Sequence, residues 1–373
     1  MKRIITGDIH LSSYSSDKIK NGLPLRLHDI FSSLNQISQY AKNNDIKYID
    51  IIGDINNDKD IFYTRSFLLF RKWLEENRDI HITLLSGNHD MDSAGDNQIS
   101  SIEGFADAPN VRIITVTEYD EENNILWVPF SKNIVQNIKG SLKAKILLSH
   151  FGVSEAQLSC GISITSDIGL KELKKFDLVI LGHYHKPQQL KNIWYTGNLC
   201  HTSWNDKGEE KRFLVCDTET LNVTSIPFKD YTRYIELTIK SSEEAKSILQ
   251  EEKKLKKEGH FVRVKNITDK EIIEEGVHII NSTEKDITDR GVEITMSDDE
   301  KLQKFLNIKE IINPKWLEVG KLLCSFQEFD IELKSIEKEK VIEEPKQKEE
   351  EKVIEEPKQK EEDSKLFDID FNL

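Results

Sequence analysis

Five apolar runs along this 373-residue chain each lead into a short polar motif. Arg3–Thr6 leads into Gly7-Asp8-Ile9-His10, Tyr48–Ile52 into Gly53-Asp54, and Ile80–Ser86 into Gly87-Asn88-His89-Asp90. Ala144–Leu148 leads into Ser149-His150, and Leu178–Leu181 into Gly182-His183-Tyr184-His185. Short continuous apolar runs predict strands buried on both faces. Polar groups just past the carboxyl ends of such strands are where an open α/β sheet places its site.

The motif residues read as a ligand set. Two divalent cations need about seven oxygen and nitrogen donors, one of them a carboxylate able to bridge both. Asp8, His10, Asp54, Asn88, His150, His183 and His185 meet that inventory. Asp-x-His or His-x-His alone is a weak signal, because most histidines are satisfied surface or core residues. The specificity lies in the set of motifs, which holds five of the ten histidines. One of them, His89, sits beside a ligand and is left over to move a proton. Asp54 can span two cations, whereas Asn88 is a neutral carbonyl donor that limits the charge of the site. The imidazoles favour a transition metal, so Mn²⁺ suits the set better than Mg²⁺.

Composition bounds the partners. Net charge is −14, and the last 43 residues carry fifteen acidic and nine basic side chains. No global basic field exists, so any contact with nucleic acid needs local patches, bound cations or a partner. The first strand begins almost at Met1 and no apolar stretch is long enough to span a bilayer, so neither a signal peptide nor a membrane anchor is expected. Cys160, Cys200, Cys216 and Cys324 form no close pair, which points to a reducing cytoplasm rather than a disulfide or zinc framework.

Four regions follow. Residues 1–229 alternate strands and helices, with helices predicted over Leu25–Lys42 and Asp60–Glu76. Later strands over 194–198, 213–217 and 223–228 read as short antiparallel pieces of a second sheet. Residues 230–297 form a small α+β module: strands Tyr234–Ile239, His260–Lys265 and Val277–Asn281, a charged helix Ser241–Lys257 capped by Ser241 or Ser242, and a short helix Thr268–Glu275. The basic residues of the module are either a solvated face or a DNA contact. Residues 298–330 read as two apolar helices broken at Asn313-Pro314, covering either their own domain or a partner. In 331–373 a 12-residue unit starting at Lys340 recurs at Lys352. Two charged copies cannot bury a core, so this is a disordered tether. It ends in Phe367, Ile369, Phe371 and Leu373 alternating with polar residues, a peptide that either docks to a replication or recombination protein or is an inert solubilising tail.

The order and spacing of the motifs resemble the calcineurin-like metallophosphoesterase superfamily. That resemblance implies an α/β fold, a two-sheet sandwich flanked by helices. It further implies that Asp8, His10, Asp54 and His185 hold one metal, that Asp54, Asn88, His150 and His183 hold the other, and that His89 is the general acid. Asp90 replaces the Glu usual in protein phosphatases of the superfamily, and no Arg follows Asp54 as it does there. The segment Tyr195–Asp206 and the module after 230 are similar instead to SbcD-type DNA-repair nucleases, especially those of T-even-type phages, although Asn56 stands where many relatives carry Phe. For residues 1–229 the similarity covers every motif; for 230–327 it is architectural only; the tail lies outside it. It implies a Mn²⁺-dependent DNA exo- and endonuclease in the cytoplasm of a cell or infected host. The partners it implies are an SbcC-type ABC ATPase, bound through the apolar helices, and a second copy, bound through the helix from Asp60. The alternatives are a small-molecule phosphodiesterase of the same superfamily and a non-catalytic DNA-bridging subunit.

Overall fold

The computed structural model describes residues 1–281, apart from 93–98, 141–143, 164–165, 167, 269–271, 273 and 275. The expected apolar helices and repeat tail lie outside the described residues, as does part of the expected helix Thr268–Glu275. Two six-stranded sheets dominate. The first runs β14(Val223–Pro227)-β13(Arg212–Asp217)-β1(Lys2–Thr6)-β4(Tyr48–Ile52)-β5(His81–Leu85)-β6(Val111–Ile114). The second runs β11(Gln188–Leu190)-β12(Ile193–Tyr195)-β10(Leu178–Gly182)-β9(Ile146–His150)-β8(Ile125–Val128)-β7(Glu118–Asp120). Strands β1, β4, β5 and β6 are parallel, as are β12, β10, β9 and β8. A short hairpin, β2(Ile19–Lys20) and β3(Leu23–Pro24), precedes the first helix.

The apolar runs are explained by three cores. Side chains alternate across a strand. Ile5, Ile52, Leu85, Trp127, Leu148 and Ile180 point into the layer between the sheets. Their neighbours Ile4, Ile51 and Leu84 face outward onto α1(Leu25–Asn43) and α2(Thr64–Glu76). Leu126, Leu147 and Val179 face α3(Ile134–Gly140) and α4(Leu170–Leu173). The result is a helix–sheet–sheet–helix sandwich, so both faces of the central strands must be apolar. The exception is Arg3, which donates two 2.7 Å hydrogen bonds to Asp50 on the neighbouring strand, both side chains being buried.

Three expectations change. The strands at 213–217 and 223–228 do not join the second sheet. They extend the first through the antiparallel β1–β13 pairing, while β12 runs parallel to β10. The second helix starts at Thr64, because Asp60 has φ of 64°, outside the helical region. The charged helix α5(Ala245–Lys257) starts later than predicted, with Glu244 rather than a serine at its N-terminus. The Glu244 carboxylate accepts the Ser241 N–H at 3.0 Å. This helix packs on the parallel sheet β15(Tyr234–Ile239)-β16(Phe261–Asn266)-β17(Ile279–Asn281). No described helix is long and apolar enough to cross a membrane.

Leu34, fully buried on the inner face of α1, tests this packing. Leu34→Ala should lower the unfolding free energy by about 2–5 kcal/mol in a denaturant titration, whereas Val116→Ala, at an exposed position, should change it little.

Candidate metal centre

Three neighbouring strands of the first sheet and two of the second end at one place. Asp8 and His10 follow β1, Asp54 follows β4, and Asn88 and His89 follow β5. His183 and His185 follow β10, while His150 is the last residue of β9, paired with Gly182. The loops continue the ladder beyond the strands: Asp8 N–H donates to Gly53 O at 3.0 Å and His10 N–H to Asp54 O at 2.9 Å. Asp8, His10, Asp54 and His183 all have positive φ, between 52° and 89°. This is uncommon for residues with side chains and marks a backbone held by its surroundings.

Glycine makes the approach possible. Gly53 has φ of 92°, and a Cβ there would strike the His150 ring and come within 2.9 Å of Gly87 Cα. A Cβ on Gly87 would strike Asp54, and one on Gly182 would strike Ile52 O and come within 2.7 Å of His150 Nδ1.

All eight residues predicted for the site come together. His10 Nε2 and His185 Nε2 are 2.9 Å apart. Asn88 Oδ1 lies 2.9 Å from His183 Nδ1 and 3.1 Å from His150 Nε2. Asp54 reaches both sides, with Oδ2 3.6 Å from His10 Nε2 and Oδ1 3.2 Å from His150 Nε2. Asp8 accepts the His183 N–H at 3.0 Å. Three overlapping groups, Asp8–His10–His185, His10–Asp54–His89 and Asp54–His150–His183, bring their donor atoms within 4.8 Å of one another.

The surroundings of each imidazole set its protonation. His150 Nδ1 lies 2.9 Å from Ile52 O, so this nitrogen carries the proton and donates. Its Nε2 faces two oxygens, Asp54 Oδ1 at 3.2 Å and Asn88 Oδ1 at 3.1 Å, to which a protonated ring donates. His10 Nδ1 is buried with no hydrogen-bond partner among the described residues. Burial drives His10 and His183 down to about 3. Burial, with Lys211 adding to it, drives His185 to about 4. These rings are neutral, with lone pairs available as donors. Burial opposes charge on His150 as well, but Asp54 and Asp8 outweigh it and lift the ring to about 9. Burial lifts Asp8 to about 7. It would lift Asp54 too, but His150 and His10 hold that carboxyl below the usual range. Four imidazoles, three of them neutral, and two carboxylates converging in a partly buried space fit divalent cations.

His89 stands apart from the other imidazoles. Its Nδ1 donates to Asn57 O at 2.6 Å and its backbone N–H donates to Asp54 Oδ1 at 2.9 Å. The ring meets His10 edge-on, with centroids 5.0 Å apart.

Two supporting residues were not legible as such. Asp90 is buried and accepts from the N–H groups of Gly87 and Asn56, each at 2.9 Å, and of Ile55 at 3.3 Å, so it ties the Asn88 loop to the Asp54 loop. Burial raises its carboxyl to about 6. Lys211 is fully buried on the loop before β13 and donates to His185 O at 3.0 Å, Asp206 at 2.8 Å and Glu209 at 2.5 Å. Lysine on a charged stretch reads as solvated, and only the fold shows otherwise. His201 takes no part in the ligand cluster. It donates to Glu209 O at 2.9 Å and accepts the Tyr234 N–H at 3.0 Å, joining the sandwich to the α+β module.

Comparison with known proteins agrees with this geometry. Residues 1–187 match the family described as calcineurin-like phosphoesterase. The chain is 25% identical over 313 residues to the SbcD component of the SbcCD nuclease of Staphylococcus epidermidis, covering 72% of this chain and 81% of that protein. It is 25% identical over 301 residues to exonuclease subunit 1 of Enterobacteria phage T4, covering 73% and 86%. Among solved structures, an archaeal phosphodiesterase overlays with a TM-score of 0.33 at 11% identity, covering 61% of this chain and all of that one.

The shared position of Asp54 yields a test. Asp54→Asn should weaken both cations together in a calorimetric Mn²⁺ titration. Two sites titrating as tightly as in the wild type would remove Asp54 from the bridging role.

Proposed function

The chain belongs to the calcineurin-like phosphoesterase family, and on that premise we propose that it is a two-metal DNA exo- and endonuclease, the nuclease subunit of an SbcCD-like recombination and repair complex. The observation that carries this reading is the convergence of Asp8, His10, Asp54, Asn88, His150, His183 and His185 on one buried space. The choice of DNA over another phosphodiester is supported by the two relatives that align across the module as well as the sandwich.

Two divalent cations, Mn²⁺ in our reading, supply Lewis-acid activation of water and neutralise charge on the phosphate when bound. Asp8, His10, Asp54 and His185 would hold one and Asp54, Asn88, His150 and His183 the other. The protein's own chemistry then falls to His89. With Nδ1 donating to the Asn57 carbonyl, the ring is fixed and Nε2 is left to carry a proton to the departing sugar oxygen.

The module from 230, the apolar helices over 298–330 and the tail from 331 are proposed as a capping unit, an SbcC-type ATPase contact and a tether. Trp316, Leu317 and Leu323 are the proposed anchors in the 298–330 segment, and the tether's terminal peptide is proposed to dock a replication or recombination protein. A homodimer is proposed through α2 and the segment just before it, where Ile61, Phe62 and Leu68 are 46–58% exposed.

The wild type should degrade end-labelled linear DNA with Mn²⁺, and co-expression with the ATPase should alter the products. Hydrolysis of a p-nitrophenyl phosphodiester with no attack on DNA would favour a small-molecule phosphodiesterase. His89→Ala should lose about 10²–10⁴-fold on DNA but far less on the p-nitrophenyl ester, whose leaving group needs no proton. An equal loss on both substrates would rule out the acid role. Replacing Trp316 and Leu317 by Ala should abolish co-purification with the ATPase while Mn²⁺-dependent cleavage persists.

A further inference from the structure

Where the module meets the sandwich, rings and cations form a continuous row. The Arg263 guanidinium lies 4.3 Å from the centroid of the Trp204 ring. Trp204 meets Tyr234 edge-on at 5.2 Å, and Tyr234 stacks on Phe261 at 4.8 Å with 20° between planes. The Lys18 ammonium is 5.9 Å from the Phe261 centroid. Trp204 and Lys18 belong to the sandwich, and the other three to the module. All three aromatic residues are partly exposed, so the row is not sealed core.

A cavity of about 210 Å³ opens beside it, lined by Asp17, Lys18, Arg26, Asp29, Tyr234 and Phe261 among others. Two carboxylates in the wall disfavour an anion inside. Asp17 accepts the Arg26 N–H at 3.1 Å and Asp29 the Thr232 N–H at 2.9 Å, which fixes them as part of the wall. An uncharged planar ring is the occupant that aromatic faces and carboxylate acceptors suit, since every base offers a π-face and most offer N–H donors. Outside, the exposed Lys18, Lys20 and Arg233 supply positive charge on a chain whose net charge is −14.

Two chains of contacts link the cavity to the metal centre. Arg26 lies 5.0 Å over the Tyr14 ring, and the Tyr14 hydroxyl donates to the carbonyl of His10. His201, on the cavity wall, reaches Glu209, whose carboxylate pairs with the Lys211 that holds His185.

We propose that this junction binds an unpaired nucleobase of single-stranded DNA, with the base between the cavity walls and the flanking phosphates on Lys18 and Lys20. The inference rests on the reading of the chain as a DNA hydrolase and adds a subsite to it. A strand held here is frayed or single-stranded where the module meets the sandwich.

The test uses the full chain with chelator present, so that nothing is cleaved. Fluorescence anisotropy compares a labelled oligothymidylate of about eight nucleotides, within the usual site size of a small single-strand binder, with an abasic strand of the same length. The wild type should prefer the base-bearing strand by about tenfold. Phe261→Leu should abolish that preference, and Lys18→Glu, on an exposed side chain, should weaken binding of the thymidylate strand about threefold or more. Equal wild-type affinity for the two strands, or Lys18→Glu binding as the wild type does, overturns the proposal. A chain that shows the preference but degrades no DNA with Mn²⁺ overturns the nuclease reading alone.

Discussion

The centre depends on close contact between loops that end strands of two different sheets. Side chains would hold those loops apart; Gly53, Gly87 and Gly182 let them touch. The contact fixes the backbone of Asp8, His10, Asp54 and His183 in the left-handed region, which isolated chains seldom visit. Asp90 then closes the arrangement from below by accepting three backbone N–H groups. Donor atoms therefore reach a common point because of how the backbone is packed, with little left to side-chain flexibility.

A second layer holds this one. Lys211 fastens the His185 carbonyl to Asp206, and Asp206 also accepts from the N–H groups of Thr202 and Ser203 at 2.9 and 2.8 Å. His201 continues the link to Tyr234 in the module. A buried lysine is costly unless paired, and here two carboxylates and a carbonyl satisfy it. The module is thus joined through hydrogen bonds to the loop that carries His185.

Much of the fold was legible because the central strands are buried on both faces. Tyr48–Ile52 and Leu178–Leu181 are apolar enough to be read directly, and the motifs that follow them mark their ends. The eight site residues were legible because each sits at such an end. The strands Val111–Ile114, Glu118–Asp120 and Gln188–Leu190, and the buried interior strand Ile125–Val128, were missed: they are short, and no motif follows them. Sheet membership was also out of reach. Whether 212–217 pairs with β1 or with the second sheet is decided by long-range register, such as Ile4 opposite Val215, which local pattern does not contain. Asp90 and Lys211 escaped for a related reason, since their roles are hydrogen bonds to backbone distant in sequence.

The candidate ligands divide between the sheets. Asp8, His10, Asp54 and Asn88 come from the first, and His150, His183 and His185 from the second. Neither half alone offers the whole set, so no cation can find its full coordination on a chain whose sheets have not yet packed. Metal would act as a clasp between two layers that also meet through Ile5, Ile52, Trp127, Leu148 and their neighbours and through hydrogen bonds such as His150 to Ile52 O. By mass action such a ligand stabilises the folded form alone. Cation supply would then set how long the sandwich persists as well as whether it works.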